Sequence, residues 1–336
     1  MTAQTPDFVE NFLAELYRAK IVPVRLSAEP LPGELHPLVI SVVRNEIENI
    51  ADFLRHYRCH GIRRFVILDN DSSDGTREFL EDQGDVDLYQ VSDEFNGVRK
   101  QGWIAHIVML YGYMRWYLIV DADEHVVFDG IEDRTFLDLT REMTRRGIRR
   151  VRGFLLDMYN NLPVTSAPAR PGGKLRDIYP LFDKGPYREE PKPEMLSVKG
   201  GVRSRVFGGL DDRFDPELTK YPLLQLSPGE FPLHPHYAWP YGRQTGERRF
   251  LAILHYKFGA AFKIKIDDAT RRGQYWNNSL EYRIYKKFVD ENKIATLNGE
   301  NSEQYRCSSH LVDLKLISPI DWGSRCPDRG LPSFWL

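Results

Sequence analysis

Residues 116–128, WYLIVDADEHVVF, constrain the fold of this chain more than any other stretch. Their apolar beginning, residues 117–120, is β-branched and aromatic, which is typical of a buried parallel strand. Asp121, Asp123 and Glu124 follow at the carboxyl end of this strand, where open α/β sheets bind their ligands. Side chains at i and i+2 of an extended segment point the same way, so Asp121 and Asp123 are predicted to converge on one hard cation. A solvated acidic turn is the competing interpretation, because short acidic motifs are common by chance.

The rest of the first half of the chain alternates between strand and helix patterns. Apolar strands are predicted at residues 38–43, 65–68 and 148–158, with a further strand around Tyr89 and Val91. Helical spacing of apolar residues lies between them, at residues 47–61, 77–82, 97–114 and 131–147. This alternation predicts an α/β protein with a Rossmann-like, mostly parallel sheet flanked by helices.

Composition divides the chain into four segments. Residues 1–37 read as a helix, at residues 7–19, followed by a Pro-rich linker, and residues 38–160 hold the alternating strands and helices. Thirteen of the 21 prolines fall within residues 163–240. Residues 163–240 are therefore predicted to form extended and turned segments that run over the sheet edge, and regular structure is expected again at residues 248–265, within a third segment at residues 161–270. Residues 271–336 are predicted to be a helical extension and a tail.

Charge and cysteine content argue against several classes of protein. The net charge of −2 is unlike that of a nucleic-acid-binding domain, which is normally strongly basic, so no nucleic-acid partner is expected. Neither a run of 18 apolar residues nor a basic-then-apolar amino terminus is present. Cys59, Cys307 and Cys326 are odd in number and lack C-x-x-C spacing, which predicts neither a disulfide framework nor a zinc ribbon. We expect a soluble chain in a reducing cytoplasm.

Four motifs in this order resemble those of a known family. They are VVRNE at residues 42–46, LDNDSSDGT at residues 68–76, DADE at residues 121–124 and HYKF at residues 255–258. Together they resemble a GT-A-fold glycosyltransferase of the family-2-like type, in particular the bacterial subgroup with DN-x-S-x-DGT and DADE motifs. The resemblance extends over residues 38–290.

The resemblance implies which residues contact a sugar-nucleotide donor. They are Arg44, Glu46, Asp69, Arg99, Lys100 and Asp121. Arg44, Glu46 and Asp69 would line the pocket for the base, and Asp121 would contact the ribose or a metal. Arg99 and Lys100, at the start of the helix predicted at residues 97–114, would face the diphosphate. Cations there oppose the helix dipole, so a solvated helix start is the competing interpretation.

The resemblance also implies a Mn²⁺ or Mg²⁺ ion bound by Asp121, Asp123 and His255. A departing nucleoside diphosphate develops negative charge, and such an ion neutralises it while taking carboxylate oxygens as ligands. His234 and His236 are rival ligands, because an i, i+2 pair in an extended segment can also share an ion.

An inverting transferase, which we expect here, needs a carboxylate base near the acceptor hydroxyl. The usual Glu-Asp motif is not recognisable, and the candidates are Glu189, Glu190, Glu194, Asp211 and Asp212. From these we select Asp211 and Glu190. Solvated loop acids are the competing interpretation for each of them.

The expected activity is therefore transfer of a sugar from a nucleoside-diphosphate donor to a carbohydrate or glycolipid acceptor. The resemblance suggests a setting in the assembly of bacterial surface polysaccharide or glycoconjugate. It makes residues 38–160 the nucleotide-sugar-binding half and residues 161–270 the acceptor-side and metal-completing half. Exposed aromatic residues would allow peripheral contact with the inner face of the membrane.

Two other functions remain open at this point. Residues 65–73, FVILDNDSS, fit the strand and D-x-D-x-[ST] pattern of haloacid-dehalogenase-type phosphatases, in which the first Asp is a nucleophile. That interpretation leaves the second D-x-D, at residues 121–123, unexplained. The other alternative is a non-catalytic sugar-nucleotide-binding or scaffold protein on the same fold.

Overall fold

A computed structural model of the chain describes residues 7–166, 171–241, 248–273, 276–292 and 296–323. The helices are α1 (Asp7–Arg18), α2 (Ile47–Cys59), α3 (Thr76–Glu81), α4 (Gly97–Tyr111), α5 (Phe136–Arg145), α6 (Leu175–Ile178), α7 (Gly201–Phe207), α8 (Phe262–Arg272), α9 (Trp276–Glu291) and α10 (Ser308–Asp313). The strands are β1 (Val22–Arg25), β2 (Leu38–Val43), β3 (Phe65–Asp69), β4 (Val86–Gln90), β5 (Trp116–Ile119), β6 (Glu124–Phe128), β7 (Arg150–Asp157), β8 (Leu181–Asp183), β9 (Tyr187–Pro191), β10 (Leu196–Gly200), β11 (Thr219–Gln225), β12 (Phe231–His234), β13 (Tyr237–Trp239), β14 (Leu251–His255) and β15 (Ser302–Gln304). Residues 324–336 of the predicted tail, with Cys326, lie outside the described residues.

Within the part of the chain that the structure describes, the central sheet has nine strands in the order β1-β4-β3-β2-β5-β11-β7-β14-β6. β2 pairs in parallel with β3 and β5, β3 pairs in parallel with β4, and β7 pairs in parallel with β14. β11 runs antiparallel to both of its neighbours, β5 and β7, so those two strands share a direction. Six strands, β2, β3, β4, β5, β7 and β14, therefore end at the same edge of the sheet. The predicted α/β class, with helices flanking a large sheet, is confirmed.

The strand order reverses between β2 and β5. The chain moves outward from β2 to β3 and β4, and then returns to place β5 on the other side of β2. Ligands of open α/β sheets bind in the crevice at such a reversal, outside the carboxyl ends of the strands. Glu46 follows β2 and Asp121 follows β5, so the fold brings both residues to this crevice.

Helices cover both faces of the sheet, which explains the continuous apolar runs in the sequence. Val39 of β2 packs in the same core as Phe53 of α2 and Phe136 of α5. Its neighbour Ile40 points to the opposite face, where it shares a core with Trp103 of α4. Because both faces are buried, the strand carries apolar residues at successive positions and not at alternate ones.

The Pro-rich segment contributes a central strand, which the sequence did not predict. β11 lies between β5 and β7. Pro222 within it has no N–H to donate, and the register with β7 shifts between Lys220 and Leu223 at this point. A bulge accommodates a proline in a sheet in this way. The prediction that this segment runs over the sheet edge is therefore wrong for β11, and β1, within the predicted linker, likewise pairs with β4.

Three helices form an aromatic layer beside the end of the sheet. The ring of Phe207 on α7 lies 4.7 Å from that of Tyr285 on α9, and the ring of Phe262 on α8 lies 5.4 Å from Tyr285. This layer fixes α7 and α8, which carry Arg203 and Lys265 respectively. Among the described residues, none of the helices combines the length and apolar character that crossing a membrane requires.

Candidate functional site

Five acidic side chains are grouped on one part of the sheet edge where the parallel strands end. They are Glu46, Asp121, Asp123, Glu124 and Asp157, and we refer to them as the acidic cluster. Glu124 and Asp157 are buried, whereas the Asp121 side chain is 38% exposed. Buried carboxylates require cationic or hydrogen-bonding partners, so the partners of each member define what the site can do.

Asp121 contacts two lysines. Its Oδ1 is 2.5 Å from Lys100 Nζ, and its Oδ2 is 3.9 Å from Lys220 Nζ. Burial alone would raise the pKa of Asp121, but the charges of Lys100 and Lys220 outweigh burial and hold that pKa well below its usual range. Asp121 is therefore ionised at neutral pH, and Lys100 lies at the acidic cluster.

Asp121 and Asp123 lie on a turn and not on the extended segment expected from the sequence. Residues 122 and 123 are in turn conformation, and the backbone N–H of Glu124 donates to the backbone carbonyl of Asp121 at 3.0 Å. The backbone N–H of Asp121 donates in turn to Glu124 Oε2 at 3.0 Å. The i, i+2 argument was therefore wrong about the local conformation, and the two Asp carboxylates pair with different cations.

Glu124 and Lys220 form a buried ion pair at the floor of the site. Lys220 Nζ is 2.6 Å from Glu124 Oε1 and 2.5 Å from Oε2. Burial raises the pKa of Glu124, and Lys220 opposes this increase. Burial by itself would lower the pKa of Lys220, but Glu124 and then Asp121 raise it above its usual value. The pair holds the Lys220 ammonium group next to Asp121.

Asp123 faces two basic groups from elements that follow the Pro-rich segment. Its Oδ2 is 3.6 Å from Lys265 Nζ and 3.9 Å from His255 Nε2. Burial would raise the pKa of Asp123, but Lys265 and His255 lower it overall. Lys265 also donates to Glu46 Oε1 at 2.7 Å. Glu46, which the resemblance assigns to the base pocket, therefore shares this lysine with Asp123.

Asp157 holds the other side of the His255 ring. The two residues face each other on the parallel strands β7 and β14, with Asp157 Oδ1 2.7 Å from His255 Nδ1. Arg203 Nε donates to Asp157 Oδ2 at 2.7 Å. Burial would raise the pKa of Asp157, but Arg203 and His255 lower it to about 2. The sequence analysis missed this residue, although it ends an apolar strand just as Asp69 does.

Asp69 ends β3 with an incompletely satisfied carboxylate. Its side chain is buried, and Oδ2 accepts a hydrogen bond from the backbone N–H of Ser72 at 3.2 Å. Oδ1 is also buried but has no hydrogen-bond partner among the described residues. Burial raises the pKa of Asp69. The backbone N–H of Asn45 donates to Ser72 Oγ at 3.0 Å, which brings the loop after β2, with the half-buried Arg44, against the loop after β3.

The adjacent residues Arg99 and Lys100 point to different parts of the molecule. Lys100 reaches Asp121, whereas Arg99 Nε lies 3.2 Å from Glu15 Oε2 on α1. Arg99 Nη1 also donates to the backbone carbonyl of Glu94 at 2.9 Å. The structure therefore brings Lys100 to the acidic cluster and uses Arg99 to attach α1 to the start of α4.

The two selected general bases make their ion pairs outside the acidic cluster. Asp211 Oδ2 is 2.6 Å from Arg213 Nη2, and Glu190 Oε1 is 2.7 Å from Arg188 Nε. Side-chain hydrogen bonds to Arg213 are the main reason that the pKa of Asp211 lies well below its usual range. The geometry brings neither carboxylate into contact with the acidic cluster, and their catalytic role stays a prediction.

The rival histidines lie on the hairpin formed by β12 and β13. His236 Nδ1 is 2.5 Å from the backbone carbonyl of Thr219, and the His234 ring stacks on Tyr237 at 4.6 Å. A narrow cleft lies between this hairpin and the acidic cluster. The cleft is lined by Lys100, Asp121, Lys220, His234 and Tyr237 together with apolar residues of α4, β5 and β11.

The donor atoms of Asp123 and His255 fit a divalent cation. Asp157 occupies Nδ1 of His255 and leaves Nε2 facing Asp123 Oδ2, as in the carboxylate–histidine–metal arrangements of many proteins. Within the described ranges, no three carboxylate, imidazole or thiol groups converge into a complete cage. Mg²⁺ in particular is commonly held by one or two protein carboxylates together with substrate phosphates and water.

No protein-family model and no curated protein matches this chain significantly. Its motifs and the geometry of the acidic cluster are therefore the features that point to a function.

Proposed function

We propose that this chain is a metal-dependent glycosyltransferase that moves a sugar from a nucleoside-diphosphate donor to a carbohydrate or glycolipid acceptor. One observation carries the proposal. Asp121 and Asp123, which follow β5, meet the His255 imidazole and the ammonium groups of Lys100 and Lys265 at one edge of the sheet. Acidic metal ligands beside several cations are what a metal-bound diphosphate requires.

The lysines account for the anionic part of such a donor. Lys100 and Lys220 both lie against Asp121, and they also line the cleft between α4, β11 and the β12–β13 hairpin. Ammonium groups bind phosphate as compact point charges, so a diphosphate in this cleft would be held by both lysines. Lys265, on the other side of Asp123, would oppose the remaining charge.

Asp69 supports recognition of the nucleotide base. Its buried Oδ1 is an acceptor for which the described residues supply no donor, and leaving such a group unsatisfied is costly. A base with a ring N–H, as in uracil, thymine and guanine, would supply the missing donor. We therefore include a nucleotide of this kind in the proposal.

The ion has a defined place in this scheme. Asp123 and His255 would hold Mn²⁺ or Mg²⁺, which when bound supplies charge neutralisation for the departing diphosphate. Lys100 and Lys220 would orient the phosphates, and Asp69 would fix the base. Holding the donor in this way lowers the entropy cost of reaching the transition state.

The cellular setting is part of the same proposal and has the motif resemblance as its support. We propose a role in the assembly of bacterial surface polysaccharide or glycoconjugate, in the cytoplasm and in contact with the inner face of the membrane. The acceptor would then be a growing glycan or glycolipid.

A thermal-shift panel tests the donor site. Nucleoside diphosphates and sugar nucleotides are added with Mn²⁺, with Mg²⁺ and with a chelator. A ligand at 100 times its Kd stabilises the folded state by about 2.7 kcal/mol, which shifts the melting temperature measurably. We expect a metal-dependent shift with one base, lost in Asp123→Ala.

The matched control is Asp85→Asn, which removes a carboxylate at the amino end of β4, at the opposite edge of the sheet. It should respond to ligands as the wild-type chain does. If no nucleotide shifts the wild-type chain, or if Asp123→Ala responds equally well, the proposal is wrong. Release of phosphate from simple phosphate esters would then favour the phosphatase.

A further inference from the structure

Three buried side chains form a line behind the proposed metal site. They are Arg203 on α7, Asp157 at the end of β7 and His255 at the end of β14, and each is at most 8% exposed. Arg203 Nε donates to Asp157 Oδ2, and His255 Nδ1 lies 2.7 Å from Asp157 Oδ1. The two carboxylate oxygens therefore have separate partners.

This arrangement dictates where the imidazole proton lies. An ionised carboxylate only accepts hydrogen bonds, so His255 must carry a proton on Nδ1 to bind Asp157. The neutral ring then has its lone pair on Nε2. Nε2 is the atom that faces Asp123 Oδ2 at 3.9 Å.

The position of Asp157 is itself fixed from two directions. Its backbone pairs in register with His255 across the parallel strands. Its side chain is bound by Arg203, whose Nη1 also lies 3.4 Å from Glu281 Oε1 on α9. Lys257 Nζ lies 3.3 Å from the same Glu281 oxygen and helps to hold Glu281 in place. Arg203 therefore cannot turn away from Asp157 without also breaking its ion pair with Glu281.

We propose that Asp157, held by Arg203, is a positioning residue that fixes His255 in the Nδ1–H tautomer and thereby makes Nε2 a metal ligand. The assignment of the tautomer depends only on the contacts described above. The role of Nε2 rests on the proposed function. The experiment below separates the two.

Asp157→Asn is the informative variant, because the structure determines how the new amide would be oriented. Arg203 Nε–H still needs an acceptor, so the amide oxygen takes the position of Oδ2. The amide NH₂ then faces His255 Nδ1, which must become an acceptor. The proton moves to Nε2, and an N–H group replaces the lone pair directed at Asp123.

Arg203→Met supplies two matched controls. Alone, it leaves Asp157 as the acceptor for Nδ1–H, so the tautomer should stay as in the wild-type chain. In the double variant with Asp157→Asn, the N–H of Arg203 that requires an acceptor is gone, so the amide oxygen can turn towards His255. The double variant should therefore return to the Nδ1–H tautomer.

The first measurement is ¹⁵N NMR of histidine-labelled, metal-free protein at about pH 8. The chain has nine histidines, and His255→Gln identifies the signals of His255 by their loss. We expect Nδ1–H in the wild-type chain and Nε2–H in Asp157→Asn. An Nε2–H tautomer in the wild-type chain would overturn the proposal without any variant, and so would an unchanged tautomer in Asp157→Asn.

The second measurement is Mn²⁺ affinity in the presence of a nucleoside diphosphate, followed by electron paramagnetic resonance. Asp157→Asn should bind Mn²⁺ about 10- to 100-fold more weakly, the range found when a partner of a metal ligand is removed. Wild-type affinity in this variant would refute the positioning role. If the wild-type chain binds no Mn²⁺ while the tautomer changes as expected, the metal-dependent function fails and the orientation of His255 by Asp157 is upheld.

Discussion

Replacing Lys220 by methionine should destabilise the chain in a strongly pH-dependent way. Methionine keeps the unbranched apolar stem of the lysine but removes the ammonium group, which lies 2.6 Å and 2.5 Å from the two carboxylate oxygens of Glu124. Glu124 is 3% exposed, so its carboxylate would be left buried without a counter-charge. Breaking a buried ion pair from one side typically costs about 3–5 kcal/mol.

Protonation of Glu124 limits this cost and makes it depend on pH. The ordinary pKa of the glutamate carboxyl is 4.5. Holding it neutral in the folded state at pH 7, which is 2.5 pH units higher, costs about 3.4 kcal/mol at 1.36 kcal/mol per unit. At pH 5 the same calculation gives about 0.7 kcal/mol. The loss of stability in Lys220→Met should therefore shrink by about 2.7 kcal/mol as the pH falls from 7 to 5.

Urea unfolding of the wild-type and variant chains across this pH range measures the effect. Lys220→Met combined with Glu124→Gln removes both charges and should recover most of the stability at pH 7, because the amide oxygen can still accept from the backbone N–H of Asp121. Lys286→Met, on the exposed face of α9, is the matched control and should leave stability nearly unchanged at every pH. A loss in Lys220→Met that is the same at pH 5 and pH 7 would refute this reasoning.

Three further predictions follow from other parts of the structure. Burial lowers the pKa of His125 to about 3, so the folded chain binds its proton less readily than the unfolded chain, and stability falls as the pH drops from about 6.5 towards 3. His125→Phe keeps a buried aromatic ring. Between pH 7 and pH 5 the free energy of unfolding of this variant, measured in urea, should fall by about 2 kcal/mol less than that of the wild-type chain. An equal fall in both chains would show that His125 is not the group responsible. Gly153→Ala places a Cβ 2.8 Å from Leu251 Cβ between β7 and β14 and should cost about 1–3 kcal/mol, so an unchanged melting temperature would show that the strands can separate. Lys100→Ala should weaken nucleotide binding in calorimetry, whereas Arg99→Ala should lower the melting temperature and leave binding unchanged; the reverse result would show that the two roles are exchanged.

Local pattern in the sequence was enough to predict β2 to β5 and the helices between them, whereas β1 was missed. β2 spans Leu38–Val43 as predicted, and α1 spans Asp7–Arg18 within the predicted helix at residues 7–19. The strand ends at Asp69 and Asp121 were also found, because an apolar run followed by an acid identifies the carboxyl end of a buried strand. Asp157 has the same signal and could have been found in the same way.

The prediction failed where the sequence pattern and the tertiary environment disagree. β11 carries Pro222, which normally argues against a central strand, and only its bulge against β7 makes the pairing possible. The turn at residues 122 and 123 was read as extended because Asp121 and Asp123 follow directly after the predicted strand at residues 117–120. The chain instead ends β5 there and crosses to β6, at the edge of the sheet.

The sequence by itself determined the α/β class, the strands of the parallel half and the acids at their ends, because these depend on the spacing of apolar residues within short segments. Only the tertiary structure decided which cations meet those acids. Lys220 contacts Glu124 across 96 residues, and Lys265 contacts Glu46 across 219 residues. No local periodicity encodes such contacts. They form because strands of the sheet end at a common edge and the aromatic helical layer holds α8 beside that edge. The order and direction of the strands therefore decide which charged residues of the site form ion pairs.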